Sequence, residues 1–559
     1  MSWKIKEKYR KILAAEQGAV FKNWGGKLTV CLIYPNHYAV AMSNLGFQVI
    51  YSLCNAFPDV VCERAFLPDA AEIQEYEKTG SPLLSLESQR PVADFDVVAF
   101  SVSFENDYVN LPLLLRLSGL PPFSSERSAA SPLVIAGGAA LFLNPEPVAD
   151  LLDIVCVGEG EAILPVFLEL LRTEQDVDRR ELLMRASLLP GVYVPSLYEV
   201  SHDGPRITAI TPLGGAPSPV RRAWEEVPGG SVASSTLFTP GTEFSDMYLI
   251  EVSRGCPRGC RFCAAGFIYA PYRCRSLELL KSEAERGLAV RGRIGLVGAA
   301  VSDHRNLGEL CRFIADRGGK VAVSSLRMDA LNDELLDLLH TGGNKTVALA
   351  PEGGSQRLRD LIRKGIDEAQ ILRACDMLIG RDILNLKLYF IIGLPTETMD
   401  DLEEMVELVA KIRERVIAAA RKNRRLGSIL LSVNPFIPKP FTPFQWCGME
   451  GMPSLEKKYA YLRRTAGKLS NVKMQTESLR ESYLQALLSR GDRRLAALLV
   501  ASGSGGGVRR AARELSIDTD FLVSRTIPLH EILPWDVIQS GERERLVEEY
   551  ERSVGSRVG

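Results

Sequence analysis

Three cysteines lie within eight residues near the middle of the chain: Cys256, Cys260 and Cys263, in the run CPRGCRFC. Three thiolates gathered in one short loop can bind three irons of a 4Fe–4S cubane and leave the fourth iron without a protein ligand. An open coordination position of this kind is typical of a catalytic metal site, as it is for zinc. The alternatives are three buried free thiols, or a zinc site completed by Cys274.

The cysteine run directly follows an apolar segment, Met247–Val252, which predicts a β-strand. Five more predicted strands alternate with helical segments downstream: Ile294–Val297, Lys320–Ser324, Thr346–Ala350, Asn385–Ile392 and Ser428–Val433. Six such units predict a partial (β/α)6 TIM-type barrel. Because the loops at the carboxyl ends of barrel strands build the active site, the cysteines are predicted to lie at the catalytic mouth.

Residues 247–446, with the motif RGCPRGCRFCAAGFIYAPYR, resemble the radical S-adenosylmethionine (SAM) superfamily. The resemblance implies that Cys256, Cys260 and Cys263 hold a 4Fe–4S cluster whose open iron binds the amino and carboxylate groups of SAM. It implies that the reduced cluster cleaves SAM to a 5′-deoxyadenosyl radical, which abstracts a hydrogen from the substrate. It also implies that Phe262 packs near the adenine, and that reduced flavodoxin or ferredoxin is the electron donor.

A second candidate SAM contact is the segment APEGGS, which contains Glu352 and Gly353. A carboxylate beside glycines at a barrel mouth can accept hydrogen bonds from ribose hydroxyls or an ammonium group. The resemblance implies the same role for this segment. The alternative is a helix start with Ser355 as its N-cap.

Two other strand ends supply further candidates. Ser324, Ser325 and Arg327 follow the third predicted strand, and their position favours binding of the ribose or the carboxylate of SAM. Ile391 and Gly393 belong to the segment IIGLP, which resembles the strand whose backbone brackets adenine.

The first third of the chain predicts a second parallel sheet. Its apolar runs alternate with helical segments: Leu28–Tyr34, Val60–Ala65, Asp96–Val102, Leu133–Ala136 and Ile154–Val157. Continuous apolar strands in this order favour a flavodoxin-like (Rossmann-type) domain.

Radical SAM proteins with such a domain often bind cobalamin, so the resemblance makes cobalamin a candidate cofactor. Ser101 and Ser103 partly match one element of known cobalamin domains, and Gly137 and Gly138 match another. His37 follows the first strand, but its segment PNHYAV lacks the aspartate and glycine of the cobalamin motif, so we expect no histidine on the lower face. The alternative is a flavodoxin-like scaffold without a cofactor.

Composition excludes several classes of protein. The 559 residues are 46% apolar and 24% charged, as in ordinary soluble proteins. A formal net charge of −2 argues against a wholly basic nucleic-acid coat protein. No run of about 18 apolar residues predicts a membrane helix, and the charged start MSWKIKEKYR does not fit a signal peptide, so we expect a cytoplasmic protein without membrane contact.

We expect four regions. Residues 1–180 form the cobalamin-binding-like domain, 181–245 a connector with small antiparallel strands, 246–447 the radical SAM barrel, and 448–559 a mostly helical extension.

The expected reaction is methyl or methylthio transfer to an unactivated carbon, with RNA as a candidate substrate. The region around the cysteines is rich in arginines and tyrosines: Arg254, Arg258, Arg261, Arg273 and Arg275 with Tyr269 and Tyr272. They suit nucleotide contact, and they equally suit binding of an acidic cofactor carboxylate or tuning of the cluster potential. The alternatives are another radical reaction without cobalamin, or a metal-stabilised RNA-binding protein without catalytic activity.

Overall fold

The computed structural model describes residues 3–174, 176–225, 232–323, 326–333, 336–337, 346–423, 426–503 and 507–555. Within these residues, helices alternate with strands that pair mainly in parallel. The mixed α/β class predicted from the sequence is confirmed.

The amino-terminal sheet has six strands in the order β2-β1-β3-β4-β5-β6. They are β1 (Leu28–Tyr34), β2 (Val60–Phe66), β3 (Val97–Ser101), β4 (Leu133–Gly137), β5 (Ile154–Cys156) and β6 (Val192–Tyr193). The first five are mutually parallel, and β6 is antiparallel to β5. Every residue of β1 and β2 is buried. Strand β1 is accordingly an almost continuous apolar run, and in β2 the buried Arg64 is paired with Glu16 and Glu87.

The helices of this half are α1 (Trp3–Ala15), α2 (Tyr38–Met42), α3 (Leu45–Ala56), α4 (Ala70–Thr79), α5 (Leu111–Leu117), α6 (Gly160–Thr173) and α7 (Arg179–Ser187). Helix α6 begins just after β5, and α3 follows β1 and the short helix α2. Helix α3 is capped by Asn44, whose Oδ1 accepts from the N–H of Phe47 at 2.9 Å. The starts of both helices therefore lie at the carboxyl edge of the sheet.

The connector carries the small antiparallel strands that the sequence predicts. Strands β7 (Tyr198–Asp203) and β8 (Arg206–Pro212) form a hairpin. Strand β9 (Val220–Arg221) pairs in parallel with β19 (Ile538–Gln539), so the end of the chain returns to the connector.

The second half contains two further parallel sheets. One has the order β10-β13-β14 and the other the order β15-β16-β17-β18. These strands are β10 (Tyr248–Glu251), β13 (Arg293–Val297), β14 (Lys320–Val323), β15 (Thr346–Glu352), β16 (Asn385–Ile392), β17 (Ile429–Pro435) and β18 (Val472–Thr476). A small antiparallel pair, β11 (Ser253–Arg254) and β12 (Arg273–Cys274), flanks the cysteine loop.

All six predicted strands of this half are present, but the sequence analysis missed β18. It pairs in parallel with β17, although it lies in the region expected to be helical. The segment VKMQT is polar at alternate positions and only half-buried, so it carries no continuous apolar signal.

The helices between these strands are α8 (Ala265–Ile268), α9 (Leu277–Leu288), α10 (Leu307–Asp316), α11 (Gln356–Leu361), α12 (Glu368–Ile379) and α13 (Met399–Asn423). The remaining helices are α14 (Met452–Ala466), α15 (Leu479–Arg490), α16 (Arg494–Ala501), α17 (Val508–Glu514), α18 (Thr519–Ser524) and α19 (Arg543–Tyr550). In the part of the chain that the structure describes, no helix combines the length and the apolar character needed to cross a bilayer.

The carboxyl-terminal region packs against the amino-terminal half. The side-chain amide of Asn144 donates to the carbonyl oxygens of Ser489 and Gly491, at 3.1 and 2.8 Å. Arg493 donates to the buried carboxylate of Glu146 at 2.9 Å. Hydrogen bonds and an ion pair therefore attach the carboxyl-terminal region to the amino-terminal half.

Candidate active site

The three cysteines lie in the loop between β11 and α8, at the carboxyl end of β10. Gly255 begins this loop with φ +84°, and a Cβ there would lie 2.6 Å from the carbonyl oxygen of Tyr269. Gly259 also has a positive φ, +68°. Glycine is favoured at both positions, and this lets the chain turn tightly between the cysteines.

The thiols of Cys256, Cys260 and Cys263 are half-buried and interact with one another. The pKa of Cys263 is raised to about 11, first by burial and then by negative charge on Cys260, Cys256 and Glu352. Three ionised thiols this close repel one another, and a bound metal centre would relieve that repulsion. The donor set on this loop therefore fits an iron–sulfur cluster.

Among the described residues, no three His, Cys, Asp or Glu side chains form a ligand set for a single metal ion. The ligands of a cubane bind different irons, so they do not have to converge on one point. Cys274, the fourth ligand in the zinc alternative, lies on β12. It is paired there with Ser253 of β11, and its thiol interacts with the side chain of Tyr272.

Glu352 lies at the end of β15 and close to the cysteine loop. Its φ is +64°, a conformation that is uncommon for residues other than glycine. Its Oε1 lies 3.3 Å from Nζ of Lys364. Burial raises the pKa of Cys260, and the positive charge of Lys364 opposes that rise. The carboxylate and the ammonium group thus both lie beside the thiols.

The segment after Glu352 also forms the predicted helix cap. Ser355 accepts a hydrogen bond from the N–H of Leu358 at 3.1 Å, at the start of α11. Gly353 packs so closely on this helix that a Cβ would lie 2.9 Å from the nitrogen of Arg359. The segment can therefore cap the helix through Ser355 and still leave Glu352 available to contact SAM, because different residues have the two roles.

The other predicted SAM contacts lie at neighbouring strand ends. Phe262 and Ile391 are half-buried against the core. Gly393 has φ +73°, and its N–H donates to Oε1 of Glu397 at 2.8 Å. Arg327 donates from Nε to Oδ1 of Asp329 at 2.9 Å.

The positive charge of Arg327 acts on Cys260, as that of Lys364 does. Ser324 and Ser325 lie outside the described residues.

A cavity of about 440 Å³ lies between the amino-terminal sheet and the cysteine loop. Four of the residues predicted to contact cobalamin line it: Ser101, Ser103, Gly137 and Gly138. Gly255, next to the first cysteine, lines the opposite wall. The volume lies in the usual range of small-molecule sites. One cavity therefore adjoins both predicted cofactor sites.

His37 is not among the residues that line this cavity. It is exposed and precedes helix α2, and its Nδ1 lies 3.2 Å from the carbonyl oxygen of Leu67. The structure thus places His37 apart from the four other predicted cobalamin contacts.

Gly138 serves a purpose that the sequence analysis did not foresee. Its φ is +117°, and a Cβ there would lie 2.3 Å from the carbonyl oxygen of Val102. Close backbone packing therefore requires this glycine, whatever the cavity binds.

A partly buried group of charges around Arg254 was also not foreseen. Its guanidinium lies 2.8 Å from Glu251, 2.8 Å from Glu161 and 3.1 Å from Glu159. Arg254 precedes the cysteine loop, whereas Glu159 and Glu161 lie at the start of α6. Arg254 and the three glutamates also line the cavity. Only the fold brings Glu159 and Glu161 to Arg254, so no sequence signal could have paired them.

The other arginines of the loop region are also paired with carboxylates inside the protein. Arg258 binds Asp303, Arg261 binds Glu549, Arg273 binds Glu159 and Arg275 binds Glu251. Their density, which the sequence analysis related to nucleotide contact, is thus accounted for by internal ion pairs.

Two families match the chain. The family described as Radical SAM superfamily matches residues 250–409, and the one described as Radical SAM proteins, N-terminal matches residues 46–195. An uncharacterized protein of Methanocaldococcus jannaschii is 31% identical over 475 residues, which are 84% of this chain and 90% of that protein.

Two further comparisons cover less or are more distant. The ribosomal protein uS12 methylthiotransferase RimO of Pelobacter propionicus is 28% identical over 179 residues, 29% of this chain and 39% of that enzyme. The structure of the cobalamin-dependent S-adenosylmethionine radical enzyme OxsB, with aqua-cobalamin and S-adenosylmethionine bound, aligns at a TM-score of 0.46 and 17% identity. That alignment covers 68% of this chain and 52% of OxsB.

Proposed function

The chain belongs to the radical SAM superfamily, and from this premise we propose that it transfers a methyl or methylthio group to an unactivated carbon. The observation that carries the proposal is the shared cavity. Gly255 of the cysteine loop and Gly137 of the amino-terminal sheet line the same space. A group carried on the sheet side would therefore lie within reach of the chemistry at the cluster.

Cys256, Cys260 and Cys263 are the proposed cluster ligands, and Glu352 is a proposed contact of SAM. Together the cluster and SAM supply one-electron cleavage of the sulfonium and a radical that removes hydrogen from the substrate. Lys364 and Arg327 offset the negative charge around Cys260. The half-buried Phe262, beside Cys263, would pack near the adenine of SAM.

Cobalamin is the proposed methyl carrier in the cavity. The strand order 2-1-3-4-5 of the parallel part of the sheet is that of flavodoxin-like domains, which bind ligands at the carboxyl edge of the strands. Ser101 and Ser103 lie at this edge and line the cavity, where they would contact the corrin.

RNA is the proposed substrate class, and reduced flavodoxin or ferredoxin the proposed electron donor. The partial similarity to RimO favours a methyl or methylthio transfer. That relative is named for a ribosomal protein. Transfer of the group to a protein instead of RNA would therefore reject RNA as the substrate class and keep the type of reaction.

A radical reaction without cobalamin is the second candidate. The cavity has a largely apolar sheet side with Leu32, Ala99 and Ile135, and such a wall suits a small substrate as well as a corrin.

Anaerobic purification with analysis of iron, sulfide and corrinoid tests the proposal. We expect about four irons per chain, copurifying corrinoid, and release of 5′-deoxyadenosine or S-adenosylhomocysteine after reduction. The Cys260→Ala variant should lose the iron, whereas Cys274→Ala should keep it. Iron without corrinoid would favour the second candidate, and about one zinc without iron would reject both.

A further inference from the structure

Arg261 lies between two of the proposed cluster ligands and is held by three separate segments. Its backbone N–H donates to Ile362 at 3.0 Å, and its Nη1 donates to the carbonyl oxygen of Leu361 at 2.7 Å. Its own carbonyl oxygen accepts from the N–H of Phe444 at 3.3 Å. The third segment is helix α19, whose Glu549 accepts from Nε of Arg261 at 3.0 Å.

Glu549 binds a second arginine beside the same loop. Nη1 of Arg363 lies 3.1 Å from its Oε1. The same nitrogen lies 3.9 Å from the place that a Cβ on Gly259 would occupy. One carboxylate near the end of the chain therefore holds guanidinium groups on both sides of Cys260.

The carboxylate is well placed for this role. The Glu549 side chain is only 11% exposed. Burial alone would raise the pKa of Glu549, but the hydrogen bond and charge of Arg261 outweigh burial and lower it, so the group stays ionised at neutral pH. The neighbouring Tyr550 packs edge-on against the buried Trp446, with ring centroids 5.5 Å apart, and so anchors the helix.

We propose that Glu549 is a positioning residue: through Arg261, the last helix holds the cysteine loop in the shape that retains the cluster. The inference rests on the proposed function, because it requires a cluster on Cys256, Cys260 and Cys263. It gives the carboxyl-terminal region a role at the active site, 288 residues away in sequence.

The test compares Glu549→Gln with Glu548→Gln in the full-length, reconstituted protein. Glu548 lies on the same helix and is 63% exposed; it shares Arg552 with Glu549 but pairs with neither Arg261 nor Arg363, so its variant loses the same charge without a contact to the cysteine loop. Iron release to a chelator is timed, the EPR spectrum of the reduced cluster is recorded, and the thermal midpoint of the metal-free protein is measured.

We expect iron release about tenfold faster in Glu549→Gln, the scale of effect of residues that orient metal ligands. Its EPR spectrum should shift, while Glu548→Gln should match the wild type in both readouts. Arg261→Gln should also release iron faster than the wild type, and the two effects should not add in the double variant, because both single variants lose the contact between Arg261 and Glu549.

Wild-type release and an unchanged EPR spectrum in Glu549→Gln would overturn the inference, as would additive effects in the double variant. If Glu549→Gln does not fold, Glu549→Asp and Glu548→Asp are compared by the same criteria, because aspartate keeps the charge but shortens the reach. Absence of the cluster itself is a distinct outcome, since the wild-type protein would then hold no iron and no variant could be compared with it.

Discussion

Nη2 of Arg254 lies 2.8 Å from Oε1 of Glu161, and this partly buried contact joins the start of the cysteine loop to the first turn of α6. Glu159 extends the junction, because it binds both Arg254 and Arg273. Strand β11 and its partner β12 are thus both fixed to the start of α6, beside the cavity. A ligand in the cavity would contact charges that also position the loop.

Glu159→Gln should destabilise the protein strongly. Its carboxylate is almost fully buried, and its loss leaves the charges of Arg254 and Arg273 undercompensated. Removing one partner of a buried ion pair costs about 3 kcal/mol of the free energy of unfolding, measured by urea denaturation. Glu169→Gln, in the exposed part of α6, is the control and should change stability by less than about 0.5 kcal/mol. Equal losses in both variants would contradict the importance of this junction.

Gly138→Ala should distort the sheet edge of the cavity. The new Cβ would meet the carbonyl oxygen of Val102 at 2.3 Å, in a backbone conformation that alanine rarely adopts. We expect a loss of about 2 kcal/mol of unfolding free energy and a lower corrinoid content after anaerobic purification. Gly292→Ala is the control, since a Cβ added there would have no atom within 4 Å. Wild-type stability of Gly138→Ala would show that the backbone can relax around the contact.

Much of the fold follows from the sequence because its strands are locally distinctive. Leu28–Tyr34 is buried at every position, and continuous burial is what an unbroken apolar run predicts. Strand β6 is too short, and β18 too polar, to give such a signal. Their places are set by the neighbouring strands β5 and β17, a tertiary effect that no local pattern contains.

The candidate site divides in the same way. The three cysteines are found from the sequence because eight residues of one loop contain all of them. The contact of Arg254 with Glu161 spans 93 residues, and that of Arg261 with Glu549 spans 288. The sequence showed only a cluster of arginines, whose partners became apparent when the fold brought distant helices to the loop.

Asp107 should make stability fall as pH rises. Burial raises the pKa of Asp107 to about 6, and the charge of Glu105 adds to that effect against a hydrogen bond from Asn36. The folded protein therefore binds a proton that the unfolded chain releases near pH 4. The stabilisation is present below that pH and is lost between about pH 4 and 6.

Asp107→Asn removes this titration and keeps a carbonyl oxygen that can accept from Asn36. Relative to the wild type, the metal-free variant should gain about 2 kcal/mol of unfolding free energy between pH 4.5 and 7. Urea denaturation at both pH values gives this difference. A difference independent of pH would mean that Asp107 titrates normally in the folded protein.

Glu352→Gln should weaken SAM binding while leaving the cluster in place. The carboxylate lies beside Lys364 and the thiols, where it can accept from the ribose or ammonium groups of SAM, and an amide accepts such bonds less strongly. Losing one hydrogen bond to a charged group corresponds to about a tenfold rise in the dissociation constant, measured by equilibrium binding to the cluster-loaded protein. Glu368→Gln is the control, because Glu368 forms a similar pair with Lys411 on exposed helices. If both variants bind SAM as the wild type does, Glu352 serves only the local structure around Lys364; if Glu352→Gln loses iron instead, its charge acts on the cluster rather than on SAM.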